Sequence, residues 1–447
     1  MPMKKLMLLC GLLSSSAPAF AQAKKVAKPP VAAVSAATVQ RVLTTLAADD
    51  MQGRGTGEPG QLKAAEFLAA EFKRIGLQPL PGQVNFNQTF PAYQTKPQAA
   101  SVVLNGQPVA PANLLVLSGQ PTLNWTNQDA QPPAVVTIGA GPEERRKLAA
   151  LFNPTANTLA IVDTAQAKFF GRVAEHFRQG STSAEPPSAY STVVVLSAQP
   201  AKMPAEYRIN ATTSLKTIEL RNVVGMLPGQ DPKRATEYVV FSGHYDHLGV
   251  LPPVAGDSIA NGADDDASGT TAVVALAEYF KKKKTNARPL LFVAFTAEEV
   301  GGFGSKYFSQ QLDPKQVAAM FNIEMIGKEA KFGPKTAFIT GFDKSDFGKL
   351  LQANLKGTEF KFEPDPYPEQ NLFYRSDNAT LAKLGVPAHT ISTDQIPSDK
   401  LYHSVDDEVS SLNVKNMTEV ISAIARSAEG IVAGRQTPTR IAPEPAR

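Results

Sequence analysis

The sequence predicts an α/β fold: a doubly wound, mostly parallel sheet with helices on both faces, plus an inserted β-rich accessory domain. Three observations lead to this prediction. From about residue 218 onward, apolar strand-like runs alternate regularly with helix-like segments. These strands are apolar along their whole length, which is typical of parallel strands buried on both faces. Between about residues 90 and 215 the composition and pattern change, with short β-like runs among many Pro, Gln and Thr.

The first 21 residues are typical of a secretory signal peptide. Two lysines precede the apolar run 6–13, and the pattern Ala-Phe-Ala at 19–21 resembles a cleavage site. The apolar run is too short to span a membrane as a permanent helix. We therefore predict export to the periplasm or the medium, without a stable membrane span. An Ala/Lys/Pro-rich flexible lead-in over residues 22–35 is expected to follow.

The composition excludes some partners and some kinds of site. The 447 residues contain 45 Lys and Arg and 41 Asp and Glu, so the net charge is +4. This charge is too small to indicate a nucleic acid as partner. Cys10 is the only cysteine and lies within the predicted signal peptide. The mature chain would therefore contain no disulfide, and any metal site must use His and carboxylates.

The domain organisation follows from these changes in texture. Residues 61–77, QLKAAEFLAAEFKRIGL, have apolar residues at helical spacing and a stop at Gly76. The chain beyond the lead-in is divided as follows: an N-terminal helical part of the catalytic domain over 36–90, the insert over 91–217, the catalytic domain over 218–435 and a disordered tail over 436–447.

Within the two larger segments, individual elements can be predicted. The insert is expected to contain strands at 100–104, 113–117, 133–139, 158–163 and 191–197. The catalytic domain is expected to contain strands at 237–243, 289–296, 317–325, 335–340 and 386–392, and helices at 268–280 and 411–433.

Polar side chains follow the predicted strands of the catalytic domain at the points where the strands end. In chain order they are His244 and Asp246, the loop NGADDDASG at 261–269, Glu298 and Glu299, Glu324, and His403. Each group alone is weak evidence. The carboxyl ends of parallel strands meet at one edge of a sheet, so these groups are expected to converge there. Convergence of so many carboxylates and histidines predicts a bound cation.

The types of side chain indicate which metal would bind. Two histidines and several carboxylates without a thiolate suit zinc, with manganese or cobalt as alternatives. A pair of ions about 3.5–4 Å apart would need a bridging carboxylate. The three consecutive aspartates at 264–266 offer one.

Five motifs together resemble the di-zinc aminopeptidases of metallopeptidase family 28, which are related to glutamate carboxypeptidase and glutaminyl cyclase. They are GHYDHLG, NGADDDASGT, TAEEVGGFGS, NIEMIG and YHSVDDE. Their order and spacing match this family over about 220–433, and residues 49–77 resemble its N-terminal helix. The middle segment resembles the protease-associated insert of many members.

The resemblance implies a site with two zinc ions. His244 and Glu324 would bind one ion, Glu299 and His403 would bind the other, and Asp265 would bridge them.

It also implies roles for residues that do not bind metal. Glu298 would be the general base, taking a proton from the metal-bridging water and passing it to the leaving amine. Asp246 would accept a proton from the His244 ring and fix its tautomer. Asp264 and Asp266 would shape the loop. Its two glycines, Gly262 and Gly269, would let the chain turn.

Two departures from the family pattern concern the site. Glu324 stands where the family usually has Asp, which keeps the ligand type but adds a methylene. Asn378 stands where a His usually follows the Ser-Asp pair. Tyr374 and Arg375 nearby are candidate substrate contacts, with local packing as the alternative. The remaining histidines are expected to be structural: His176, His247 and His389.

The resulting hypothesis is an exported zinc-dependent exopeptidase that removes N-terminal residues from peptides. One alternative keeps the fold but changes the reaction to that of a glutaminyl cyclase or a carboxypeptidase. A non-enzymatic binding protein is disfavoured, since all five predicted ligands and the base are present.

Overall fold

The computed structural model describes residues 33–198 and 203–442. The predicted signal peptide lies outside the described residues, as do most of the lead-in and residues 443–447. Within the described part of the chain, no helix has the length and apolar character needed to cross a bilayer.

Two helices open the described chain: α1 (Ala36–Leu46) and α2 (Pro59–Ile75). The Ser35 side chain caps α1 by accepting a hydrogen bond from the Thr38 amide at 3.2 Å. Pro59 occupies the first turn of α2, where its missing N–H is not needed. Gly76 ends α2 with a left-handed φ of 82°, so the predicted stop is confirmed.

A long antiparallel ribbon connects the main sheet to the inserted segment. Its two strands are β1 and β9, paired from Asn87 opposite Val223 to Leu104 opposite Tyr207. The elements from the start to the end of this ribbon are β1 (Asn87–Leu104), β2 (Gln107–Pro108), β3 (Leu114–Ser118), β4 (Thr122–Thr126), β5 (Ala134–Ile138), α3 (Glu144–Ala150), β6 (Thr158–Asp163), α4 (Ala167–Arg178), β7 (Ser181–Ser183), β8 (Ser191–Ser197) and β9 (Tyr207–Leu227).

The inserted segment has its own four-stranded sheet in the order β3-β8-β6-β5. On one face Leu148 of α3 and Phe170 of α4 are buried in a cluster with Leu115. On the other face Trp125 and Ile209, from β4 and β9, pack in a second cluster. All five strands predicted in this segment are present, but the two helices were not predicted. The segment therefore has a layered core of its own.

The segment from Tyr238 to Val432, called the catalytic segment after the role predicted for it, continues the alternation of strands and helices. Its elements are β10 (Tyr238–His244), β11 (Gly249–Val254), β12 (Asp257–Ala260), α5 (Gly269–Lys283), β13 (Leu290–Phe295), α6 (Phe303–Gln310), β14 (Val317–Ile323), β15 (Thr336–Ile339), α7 (Phe347–Asn354), β16 (Lys361–Pro364), α8 (Asn378–Lys383), β17 (Ala388–Ser392) and α9 (Val414–Val432).

The main sheet has the order β16-β15-β17-β14-β10-β13-β9-β1-β2. Its centre is parallel, because β10 pairs in parallel with both β13 and β14, and β14 pairs in parallel with β17. Antiparallel pairs lie to either side, between β15 and β17 and between β13 and β9. The predicted mostly parallel catalytic sheet is confirmed, with the ribbon as an antiparallel extension.

Aromatic side chains fix the central strands in register. The Phe241 ring of β10 stacks on Phe292 of β13 at 5.6 Å and on Phe321 of β14 at 4.9 Å. All three side chains are fully buried, and each such burial stabilises the fold by about 1.5–3 kcal/mol. The strands whose ends carry the candidate site are therefore held together by a closely packed aromatic core.

The predicted disordered tail is wrong over residues 436–442. The buried Arg288 guanidinium donates to the carbonyl oxygen of Gln436 at 2.6 Å. Arg440 donates to the carbonyl oxygen of Val317 at 2.8 Å, and Ile441 is only 5% exposed within the main core. A buried guanidinium needs acceptors, and the tail supplies them.

Candidate metal centre

The ends of three adjacent parallel strands carry the candidate residues. His244 is the last residue of β10, Glu324 directly follows β14, and Glu298 and Glu299 follow β13 by three and four residues. Parallel pairing aligns these ends on one edge of the sheet. The predicted convergence is therefore observed for these groups.

The carboxylate of Asp265 lies between two histidines. Its Oδ1 is 3.2 Å from Nε2 of His244, and its Oδ2 is 3.3 Å from Nε2 of His403. His403 Nε2 is also 3.2 Å from Oε2 of Glu299. Each oxygen of one carboxylate thus faces a different ring nitrogen, which is the arrangement that a carboxylate bridging two ions needs.

Among the buried atoms at this centre that lack a hydrogen bond of good geometry within the described residues, two belong to predicted metal ligands. They are Nε2 of His244 and Oε2 of Glu324. Glu324 lines the same cavity as Asp265, Glu299 and His403. Buried donors and acceptors without partners are costly, and a cation would satisfy both atoms. The set of imidazole nitrogens and carboxylate oxygens fits zinc.

The electrostatics of the centre divide its carboxylates into two groups. Burial opposes ionisation of Asp265, but its close contacts with the His244 and His403 rings outweigh burial and hold the pKa of this carboxyl well below its usual range. Burial raises the pKa of Glu298 well above its usual range, with help from the charge of Glu324. Burial likewise raises the pKa of Glu324 to about 7. Excess buried acid of this kind is what a bound cation would offset.

The two outer aspartates of the Asp264–Asp266 run hold the surrounding loops. Asp266 accepts hydrogen bonds from the backbone amides of His244 at 3.1 Å, and of Gly269 and Met325 at 3.0 Å. Asp264 accepts one from the Gly327 amide at 2.7 Å. Through these hydrogen bonds, the two aspartates connect the end of β10, the start of α5 and the segment that follows β14. The run is therefore a buried junction rather than a solvated acidic turn.

The two glycines of this loop have different functions. Gly262 has a left-handed φ of 57°, as expected of a turn. Gly269 has an ordinary helical φ of −68°, so the expectation that it allows a sharp turn is wrong. A Cβ there would collide with the carbonyl oxygen of Ile323 and with the Asp266 carboxylate. Gly269 is needed because α5 begins directly against β14.

Sequence reasoning missed two residues that hold the loop. Asp407 accepts hydrogen bonds from the amides of Asp264 and Asp265 at 3.0 Å. Arg54 is fully buried and donates to the carbonyl oxygens of Tyr245 at 2.7 Å and Gly262 at 2.8 Å. Asp407 lay within a quoted motif, whereas nothing in the pattern around Arg54 indicated burial.

Asp246 contacts its neighbours differently from the expectation. Nδ1 of His244 lies 3.1 Å from the backbone carbonyl oxygen of Asp246 and 3.8 Å from its carboxylate. The carboxylate instead accepts hydrogen bonds from the Thr56 hydroxyl at 2.8 Å and from the Glu298 amide at 3.2 Å. A carbonyl oxygen only accepts, so Nδ1 of His244 carries a proton and Nε2 is available to a metal.

His247 lies at the centre, although it was expected to be structural. Its Nδ1 is 2.7 Å from Oε1 of Glu299 and 3.8 Å from Oδ2 of Asp265. The side chain is buried. Its position three residues after His244, within GHYDHLG, was the available signal.

The candidate substrate contacts lie in different surroundings. Arg375 is exposed and lines the cavity beside the centre. Tyr374 is half-buried, and its ring lies 5.0 Å from Nζ of Lys344 and packs against Phe373. Asn378 donates to the carbonyl oxygen of Phe373 at 3.0 Å and thereby closes this turn.

The other two histidines contact groups outside the centre. The two ring nitrogens of His389 contact the Ser345 hydroxyl at 2.7 Å and the carbonyl oxygen of Thr340 at 2.9 Å. His176 is exposed on α4 of the inserted segment.

Comparison with known proteins identifies relatives of the catalytic segment. The model of peptidase family M28 matches residues 222–428. Leucine aminopeptidase 1 of Metarhizium robertsii is 25% identical over 229 residues, which are 48% of this chain and 56% of that protein. A probable zinc metalloprotease of Pyrenophora teres f. teres is 38% identical over 114 residues, covering 25% of this chain and 23% of that protein. The chain thus spans about half, or less, of the length of these relatives.

Solved structures share the fold over most of the chain. A zinc aminopeptidase from Bacillus subtilis covers 91% of this chain, and the alignment covers 97% of that structure, with a TM-score of 0.56 at 14% identity. The alignment with an aminopeptidase from Aneurinibacillus sp. strain AM-1 covers 93% of this chain and 97% of that structure. Its TM-score is 0.54, and the two sequences are 18% identical. The resemblance predicted from the motifs is therefore confirmed, and it is to peptidase family M28 over residues 222–428.

Proposed function

We propose that this chain is an exported zinc-dependent aminopeptidase that hydrolyses the N-terminal residue from peptides. The observation that carries the proposal is the Asp265 carboxylate, whose two oxygens face His244 and His403 in a cavity that Glu298 also lines. The family M28 match and the aminopeptidase relatives support the same reaction. Export rests on the signal peptide pattern at the N-terminus.

The residues of the centre would hold two zinc ions. His244 and Glu324 would bind one, Glu299 and His403 the other, with Asp265 shared between them. Bound zinc would supply Lewis-acid polarisation of the scissile carbonyl and a lowered pKa for the attacking water. His247 would orient the Glu299 carboxylate through its 2.7 Å contact.

Glu298 would act as the general base. Burial raises the pKa of its carboxyl, which suits a group that must take a proton from water and return it to the leaving amine. The hydrogen bond from its backbone amide to Asp246 fixes the turn that carries it. Asp246 would therefore position two groups: Glu298 through its carboxylate and the His244 ring through its backbone carbonyl oxygen.

Two cavities meet at this centre and would divide the substrate between them. The inner pocket extends from Asp265 and Glu324 toward β15 and β17. An outer groove runs along α6 and α8. Glu298, Glu299 and His403 line both. The side chain of the N-terminal residue would enter the inner pocket, its α-amine would lie beside the carboxylates, and the rest of the peptide would follow the groove.

The test is release of p-nitroaniline from aminoacyl-p-nitroanilides by the purified mature protein, with and without a chelator. We expect hydrolysis that the chelator abolishes and that added zinc restores. Cyclisation of peptides with N-terminal Gln, or release of C-terminal residues, without hydrolysis of any aminoacyl amide would contradict the proposal and favour the alternative reactions on this fold.

A further inference from the structure

The inner pocket combines apolar walls with hydroxyl groups. Its apolar side chains are Met325, Phe338, Leu372 and Ile396. Thr340 and Ser392 add hydroxyls near the ends of β15 and β17. Both hydroxyls already have backbone partners, since that of Thr340 accepts from the Thr390 amide and that of Ser392 donates to the carbonyl oxygen of Met325, both at 3.2 Å.

The pocket also contains a buried acid that the proposed mechanism does not use. Asp394 lies two residues beyond β17, lines the pocket and is 1% exposed. Within the described part of the chain, neither of its carboxylate oxygens has a hydrogen bond of good geometry. Buried carboxylates without partners are rare in folded proteins, because desolvation of the group is not compensated. A ligand that donates to Asp394 would remove this penalty.

Three neighbouring carboxyl groups, including Asp394, share one ammonium. Carboxylate oxygens of Asp264, Asp394 and Asp399 lie within 4.8 Å of one another. The ammonium of Lys328 pairs with two members of this group. Its Nζ lies 2.5 Å from Asp399 and 3.3 Å from Asp264. Burial and the charge of Asp264 raise the pKa of Asp394 to about 9. A second cation beside it would favour the ionised form.

We infer that the inner pocket selects peptides whose N-terminal residue is basic, with the cationic end of its side chain at Asp394. The inference rests on the proposed aminopeptidase function and narrows its substrate class. The apolar walls suit the aliphatic stem of lysine or arginine, and the buried carboxylate suits the charged end. Arg375 is the opposing charge, because it lines the pocket from an exposed position. Because of this positive charge, a peptide whose N-terminal residue is acidic is the competing substrate for the pocket.

The test compares side chains of similar length that differ in charge. The zinc-loaded protein is assayed with p-nitroanilides of lysine, arginine, norleucine, leucine and glutamate. A charge-assisted hydrogen bond predicts a kcat/KM for lysine about tenfold or more above that for norleucine. Asp394→Asn is expected to reduce this ratio to near one, whatever the variant's own kcat/KM for norleucine. Preference for norleucine, leucine or glutamate in the wild type, or an unchanged ratio in Asp394→Asn, would overturn the inference.

A binding measurement separates this inference from the proposed function. Lysinamide and norleucinamide are titrated calorimetrically into zinc-loaded Glu298→Gln protein, in which turnover is expected to be blocked. Binding of lysinamide about tenfold tighter supports the inference even if no amide is hydrolysed, in which case only the peptidase proposal fails. Equal or weaker binding of lysinamide overturns it. If Asp394→Asn does not fold, two ratios still test the inference. They are the lysine-to-norleucine ratio of kcat/KM in the wild type and the ratio of the affinities for lysinamide and norleucinamide in Glu298→Gln.

Discussion

At the scale of single residues, the centre depends on neighbours with different tasks. Asp264 and Asp266 accept backbone amides, whereas Asp265 faces two imidazoles. Glu298 and Glu299 differ in the same way, since the pKa of Glu299 is lowered and that of Glu298 is raised. Burial opposes ionisation of both, but only Glu299 has hydrogen bonds from two histidines to outweigh it.

Replacing the proposed base tests its role directly. Glu298→Gln removes the proton acceptor but keeps the shape of the side chain. We expect zinc content per chain to stay at the wild-type value and kcat to fall by about 10²–10⁴-fold. Glu175→Gln, on the exposed face of α4, is the control and should be fully active. Wild-type turnover by Glu298→Gln would remove this residue from the mechanism.

His247 offers a second test at this scale. Its contact with Glu299 predicts that His247→Gln weakens zinc binding by about 10–100-fold, because a ligand loses the partner that orients it. Competition with a zinc-binding dye measures the dissociation constant. His176→Gln, at an exposed position, should bind zinc as the wild type does. Unchanged affinity in both variants would show that the His247 contact has no part in holding the metal.

At the scale of elements, the strands were predictable and the turns after them were not. The apolar runs identified β10, β13 and β14, since a buried parallel strand has few alternatives. The loops depend on backbone conformations that no pattern indicated. Ala297 and Met325, beside Glu298 and Glu324, have left-handed φ values of 57° and 52°. Such conformations cost about 1–2 kcal/mol in non-glycine residues, and surrounding contacts impose them.

The junction of α5 with β14 is an element-level feature that mutation can test. Gly269→Ala would press a methyl group into the carbonyl oxygen of Ile323. We expect the free energy of unfolding to fall by about 1–3 kcal/mol, with weaker zinc retention, as measured by denaturant titration and metal analysis. Gly171→Ala in α4, where a Cβ meets nothing within 4 Å, is the control and should gain about 0.4–1 kcal/mol. Equal stability of Gly269→Ala and the wild type would contradict the close approach.

At the scale of the whole molecule, contacts between distant parts of the sequence were the hardest to predict. The β1–β9 ribbon pairs residues more than 100 positions apart, and Arg54 reaches Tyr245 from the N-terminal segment. Each depends on tertiary placement rather than on local pattern. The order of motifs along the catalytic segment, by contrast, was sufficient to predict which strand ends would meet.

The buried acids make the stability of the whole metal-free protein dependent on pH. Burial raises the pKa of Asp264 and Glu324 to about 7 and that of Asp377 to about 6. Between about pH 4 and 7 the folded chain therefore binds more protons than the unfolded chain, so stability decreases as pH rises. We expect the free energy of unfolding of chelator-treated protein to be at least about 1 kcal/mol lower at pH 8 than at pH 6.

Zinc-loaded protein is the control for this dependence, since bound cations would hold these carboxylates ionised. Denaturant titrations at both pH values should show the decrease in the metal-free protein and a smaller change, or the reverse, with zinc. Greater stability of the metal-free protein at pH 8 would mean that these carboxyls are not held protonated in the folded state.

Zinc stoichiometry tests the central claim most directly, because the other proposals depend on the metal centre. The mature protein would be purified without chelator, and metal per chain would be measured by elemental analysis. The geometry around Asp265 predicts about two zinc ions per chain in the wild type. One ion per chain would contradict the bridging role of Asp265 and favour a mononuclear reaction such as cyclisation, and no bound metal would contradict the account of the centre as a whole.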